Sequence, residues 1–140
     1  MQRSISSIVE EAEKLTDNPK KQAEFLTKHE SHAFKEILTF AMDPDAKWLL
    51  PDTDPPYKAV EQGTDQEGRL YSEIDKLVYF TNTPEGLNVK SVRREQLFIQ
   101  LLETVAPDDA KLLLRMRRKE LKVMIWSLKE VYPQMTGHWK

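Results

Sequence analysis

Apolar residues recur at intervals of three and four along most of the chain, the spacing that predicts amphipathic helices. Over residues 4–16, Ile5, Ile8, Val9, Ala12 and Leu15 form one face, with Glu10, Glu11, Glu13 and Lys14 opposite. Asn18–Pro19 predicts a fresh helix start. Asn is a good N-cap, and a proline at the first helical position lacks an N–H that would be unpaired there anyway. That helix is expected to run to about Lys28, with Ala23, Phe25 and Leu26 inward. Ser31 is placed to cap a third helix over residues 32–42, burying Phe34, Ile37, Leu38 and Ala41. Residues 70–81 read as helical, and Thr83–Pro84–Glu85–Gly86 ends them.

The strongest pattern spans residues 91–105, where Leu97, Phe98, Leu101, Leu102 and Val105 share a face and Ser91 is the predicted cap. Pro107–Asp108–Asp109 opens a further helix to about Lys122, with acids in its first turn as the macrodipole favours. A last helix is expected over residues 122–132, stopped by Pro133. With no alternating strand pattern, the predicted fold is all-α: one compact domain over residues 1–140 of about six to seven short helices. Residues 134–140 are expected to form a flexible tail.

Residues 43–69 interrupt the helices. Asp43–Pro44–Asp45, Pro51, Asp52–Thr53–Asp54 and Pro55–Pro56 exclude a long helix there. A long loop in a small domain is either functional or tied down. Trp48, Leu49, Leu50 and Tyr57 predict that this one is strapped across the helices.

Charge adds a polarity to this picture. The net charge is −2, but residues 1–89 carry −7 and residues 90–140 carry +5. The basic excess peaks at Arg115, Arg117, Arg118, Lys119 and Lys122. On a continuous helix, Arg115, Arg118, Lys119 and Lys122 share one stripe at i, i+3, i+4 and i+7. Like charges at these spacings repel mildly, so an anionic partner accounts for the stripe better than internal stability does. The competing reading pairs those cations with the acidic half of the chain. Lys90, Arg93 and Arg94 stand at a helix start, where positive charge opposes the macrodipole. Lys20 and Lys21 are further candidates for phosphate contact.

Other chemistry is thinner. There is no cysteine, which excludes disulfides, thiolate metal sites and a cysteine nucleophile. His29–Glu30–Ser31–His32 lacks the spacing of zinc proteases, and the Ser31 cap places its histidines on different elements. Asp43, Asp45, Asp52 and Asp54 lack the calcium-loop spacing and read as loop and capping chemistry. Trp48, Trp126 and Trp139 are possible base-stacking residues, with Trp126 expected in the core and Trp139 in the tail. No Gly-rich phosphate loop or nucleophile elbow is present, no cofactor or metal is implied, and the chain is read as non-enzymatic. Neither an export signal nor a membrane span is expected, so the predicted location is cytoplasmic.

Two resemblances extend these readings. MDPDAKWLLPDTDPPYK at residues 42–58 and RREQLFIQLLETVAPDDAKLLLRMRRKEL at residues 93–121 resemble a family of small uncharacterised proteins of T-even-like tailed phages, especially marine and cyanobacterial ones. That resemblance implies a phage source, and with it the host cytoplasm, more than an activity. More remotely, the helix order, Lys20–Lys21–Gln22 and the ending LLLRMRRKELKVMIWSLKEVYP resemble the N-terminal DNA-binding domain of ATP-dependent DNA ligases, which is all-helical and grips the duplex backbone. Arg115, Arg118, Glu120–Leu121 and Val131–Tyr132–Pro133 fit that ending, whereas its glycine is missing and Val123 and Met124 stand in the region. The Lys-x-Asp-Gly motif of the adenylated lysine is absent. The resemblance thus implies a binding module without the enzyme.

The expected function is that of a non-catalytic phage accessory protein that binds double-stranded DNA through backbone phosphates. The alternative is a protein-interaction adaptor or inhibitor that acts on a host or phage replication or transcription protein.

Overall fold

A computed structural model describes residues 4–59 and 68–139. The expected all-α architecture is present, and no strand occurs among the described residues. The helices are α1 (Ile5–Glu13), α2 (Pro19–Lys28), α3 (His32–Met42), α4 (Arg69–Glu73) continuing into a 3-10 helix (Ile74–Phe80), α5 (Pro84–Leu87), α6 (Ser91–Thr104), α7 (Pro107–Arg117), α8 (Ile125–Val131) and α9 (Pro133–Thr136).

The first three helices form where their caps place them. Ser4, Asn18 and Ser31 each accept a backbone N–H from the first turn of α1, α2 and α3. α1 stops at Glu13, short of the expected residue 16. Two details differ at α6. Lys90 occupies the cap position and Ser91 is already helical, with Arg94 N donating to Lys90 O at 2.8 Å. Thr83, read as part of a helix end, instead caps the short α5 through Gly86 N.

The core is continuous from Ile5 to Trp139. Phe80 and Phe98 meet edge to face at 5.2 Å, and Trp48 packs on both. The loop is strapped down as expected over residues 43–59, and residues 60–67 of it lie outside the described residues. Trp48 Nε1 donates to Phe40 O at 3.0 Å, and Leu49 N donates to Phe80 O at 2.8 Å. Trp48 and Thr81 make an isolated antiparallel bridge. Asn82 closes the strap, accepting from Lys47 N and donating to Asp45 O, each at 3.0 Å.

The end of the chain departs from expectation. Pro133–Thr136 is helical, and Trp139 is only 6% exposed, with its backbone N–H donating to Thr136 O at 2.9 Å. The expected flexible tail is therefore packed at residues 134–139, because Trp139 finds a place in the core and Met135 packs against it. Trp126, expected in the core, is 49% exposed. The two tryptophans have exchanged roles.

Candidate nucleic-acid interface

The basic cluster does not form one helical stripe. α7 ends at Arg117, and Lys119 adopts a left-handed conformation with φ 59°. Lys119 N donates to Met116 O and Glu120 N to Arg115 O, each at 3.0 Å, the paired closure of a helix C-terminus. A glycine usually takes that left-handed position, which is why the sequence pattern reads on through it. Lys122 then lies in the extended connection to α8, off any face it would share with Arg115.

Four of the five cluster cations are engaged within the fold. Arg115 pairs with Glu13 of α1, with Nη1 donating to Oε1 at 2.9 Å, and this partner holds its guanidinium above its usual pKa. Arg117 donates to Pro51 O at 3.0 Å and to Asp54 at 2.6 Å, and its side chain is 5% exposed. Arg118 pairs with the other oxygen of Asp54 and with Glu120. Hydrogen bonds from Arg118 and then Arg117 hold the Asp54 carboxyl below its ordinary range. Lys119 Nζ donates to Phe40 O and Asp43 O at 3.1 and 3.0 Å, closing the carbonyl end of α3. Burial pushes its pKa down, and the nearby Asp43 opposes that only in part.

Arg94 is engaged too, at 7% exposure. Its guanidinium reaches Val89 O at 2.7 Å, Gly86 O at 2.8 Å, Tyr79 O at 3.3 Å and Leu49 O at 3.5 Å. These carbonyls close the 3-10 helix, α5 and the loop strap. This is the structural gain that offsets a cation at the start of α6.

Lys20, Lys21, Lys90, Arg93 and Lys122 are exposed and pair with no carboxylate among the described residues. Lys90 and Arg93 lie at the start of α6, beside the exposed Leu87 and Val92. Lys20, Lys21 and Lys122 belong to a second group, assembled by a residue with no special signal in the sequence. Gln22 is fully buried. Its Nε2 donates to Ala12 O at 2.8 Å and to Lys122 O at 3.5 Å. Its Oε1 accepts from Met124 N at 2.9 Å. The Ser127 hydroxyl lies 2.9 Å from that same oxygen and 3.1 Å from Pro19 O. Glu13 completes the clamp by accepting Lys122 N at 2.8 Å.

The clamp fixes how α2 and α8 lie. Residues 19 and 22 meet residues 124–127, while Glu30, just past α2, borders the same depression as Val131 and Tyr132. The two helices therefore run in the same direction, and their positive N-terminal ends adjoin. Lys20, Lys21 and Lys122 stand at that end. A shallow groove of about 450 Å³ runs between the helices, bordered by Lys20, Ala23, Glu24 and Thr27 on one side and Trp126, Glu130 and Val131 on the other.

His29 and His32 stand on different elements, as the Ser31 cap implies. His29 packs on Phe25 at the end of α2, whereas His32 contacts Asp75 at 3.2 Å from the start of α3. Asp43, Asp45 and His138 gather on the surface, where Asp43 accepts Asp45 N at 2.9 Å in a local turn. Lys119 Nζ already sits against that turn.

Residues 8–123 match a protein family described as a family of unknown function (DUF6433). No curated protein and no solved structure matches the chain.

Proposed function

The chain belongs to this family of unknown function, and we propose from its own surface that it is a non-catalytic DNA-binding accessory protein. It grips backbone phosphates with Lys20, Lys21 and Lys122. The observation that carries this reading is the Gln22 clamp, which sets Lys122 beside the adjoining N-terminal ends of α2 and α8, where Lys20 and Lys21 also stand; none of the three pairs with a carboxylate among the described residues. Phosphate contacts of this kind position a protein on nucleic acid without reading its sequence. The resemblance to the ligase DNA-binding domain supports the same end of the molecule, since Lys20–Lys21–Gln22 and the residues after Glu120–Leu121 are among those that carry it. The missing glycine after Leu121 is replaced here by a hydrogen-bonded connection in which Lys122 N, Lys122 O and Met124 N all have partners. With the phage resemblance, we propose the host cytoplasm as the place where such a protein acts.

Arg115, Arg117, Arg118, Lys119 and Arg94 move out of this interface and become fold-stabilising groups. Titration of a labelled duplex at about 50 mM and about 200 mM salt tests the reading, with affinity expected to fall by about fortyfold for three phosphate contacts. Absence of binding at the lower salt overturns it.

A second reading, a protein adaptor, draws on Leu87 and Val92, which are 64% and 66% exposed beside Lys90 and Arg93. Capture of one protein partner after nuclease treatment, lost on Val92→Glu, supports that reading.

A further inference from the structure

Trp126 borders the groove that Lys20 also lines, at the end of the molecule assigned above to the phosphate grip. It is 49% exposed, although its helix neighbours Ser127 and Leu128 are fully buried. Lys20 shares the groove with it, across from α8, and Lys122 lies four residues earlier in the chain. An indole is expensive to leave in water, since its large apolar surface contributes most when buried. Lys20, which lines the groove with it, pairs with no acid among the described residues.

The groove is polarised along its length. Lys20 and Trp126 occupy the first turns of α2 and α8, and Glu24 and Glu130 the next turns. Because the helices run in the same direction, the cations and the indole share one end and the acids share the other. A polyanion is drawn to the first end and repelled from the second. Cations beside an exposed aromatic face are the arrangement that holds an unpaired nucleotide, the phosphate on the cations and the base on the ring. An intact duplex hides its base faces in the stack and offers Trp126 nothing to stack on.

We infer that Trp126 is a stacking platform for an unpaired base, so that this interface takes single-stranded DNA, or a single-stranded gap in a duplex, in preference to intact duplex. The inference rests on the phosphate-binding reading, which supplies the cations that hold the backbone. Ile125, 42% exposed beside Trp126, adds apolar surface at the edge of the platform.

Equilibrium binding of the full chain to labelled oligothymidine and to intact duplex tests this, using wild type, Trp126→Ala, Trp126→Phe and Lys20→Glu/Lys122→Glu. Helical circular dichroism confirms that each variant folds. Trp126→Ala is expected to weaken oligothymidine binding by about tenfold or more, with duplex binding changed by less than about twofold. Trp126→Phe is expected to restore most of the loss, because it keeps a ring. The lysine variant weakens both ligands. Equal loss on both ligands with Trp126→Ala, or no loss on either, overturns the stacking platform while leaving the phosphate grip standing. Wild-type protein that binds neither ligand at low salt overturns both, and points to a protein as the occupant of the groove.

Discussion

The carboxamide oxygen of Gln22 lies 2.9 Å from the Ser127 hydroxyl, a contact across 105 residues of chain in a fully buried setting. It joins the first turn of α2 to the first turn of α8. The same side chain also engages Ala12 O and Met124 N. Gln22→Leu, close in size, leaves Met124 N without its partner, while Ala12 O keeps Leu15 N and the Ser127 hydroxyl keeps Pro19 O. It is expected to lower unfolding free energy by about 2–3 kcal/mol, read from urea denaturation. It is also expected to weaken DNA binding, since residues 122–124 lose their anchor.

Lys119 combines backbone strain with a useful side chain, and two substitutions separate them. Lys119→Ala keeps a Cβ at φ 59° and loses the Nζ bonds to Phe40 O and Asp43 O. Lys119→Gly loses the same bonds and relieves the left-handed strain. The glycine variant is expected to be more stable than the alanine variant by about 1 kcal/mol, measured by thermal or urea unfolding.

Gly86 has no room for a side chain. A Cβ there would lie 1.8 Å from Thr81 O and 2.7 Å from Val78 O, both backbone atoms. Gly86 O also accepts from Arg94 at 2.8 Å. Gly86→Ala is expected to destabilise by about 2–4 kcal/mol, with loss of the loop strap seen as faster proteolysis near Leu49.

Acid should loosen the loop from α7. Hydrogen bonds from Arg118 and Arg117 lower the Asp54 pKa, so this carboxylate contributes stability above its unfolded value of about 3.9. The contribution is lost as pH falls through the folded pKa, and it is small because Asp54 is exposed. At the alkaline end, burial pushes the Tyr132 hydroxyl up to about 12. Stability is unaffected by this group below about pH 10 and falls as pH rises towards the folded value, because there the phenol ionises readily only in the unfolded chain. Tyr132→Phe removes that alkaline loss. It is also expected to raise stability at neutral pH by about 1 kcal/mol, because the hydroxyl is buried without a partner among the described residues.

Local signals foretold the elements they control. Asn18–Pro19 and Ser31 start α2 and α3 as read, because a cap acts within one turn. The helix stop at Lys119 was invisible, since the left-handed position carries a lysine whose compensation comes from α3, 76 residues away for Asp43 O. The exchange of Trp126 and Trp139 was equally hidden. Trp126 stands among Val123, Met124, Ile125 and Leu128, whereas Trp139 follows Thr136–Gly137–His138, so local composition points to the wrong one of the two. Charge counting located the basic region and left two uses for it, and the competing one, pairing with the acidic half, is what Arg115, Arg117 and Arg118 do. Pairing with Glu13 and Asp54 depends on α1 and the loop lying against α7. Of the candidate interface, Lys20, Lys21 and Lys122 were legible as cations. Gln22, which brings them together, was not, because a glutamine in the first turn of a helix reads as ordinary surface.

The most direct test compares charge reversal at the start of α2 and the connection to α8 with charge reversal at the end of α7. Lys20→Glu/Lys21→Glu/Lys122→Glu and Arg118→Glu are titrated against the same DNA at low and moderate salt. The account predicts that the triple variant loses about tenfold or more in affinity and about two to three units of salt slope, while Arg118→Glu changes neither appreciably. Loss of binding in Arg118→Glu, with the triple variant unaffected, contradicts it.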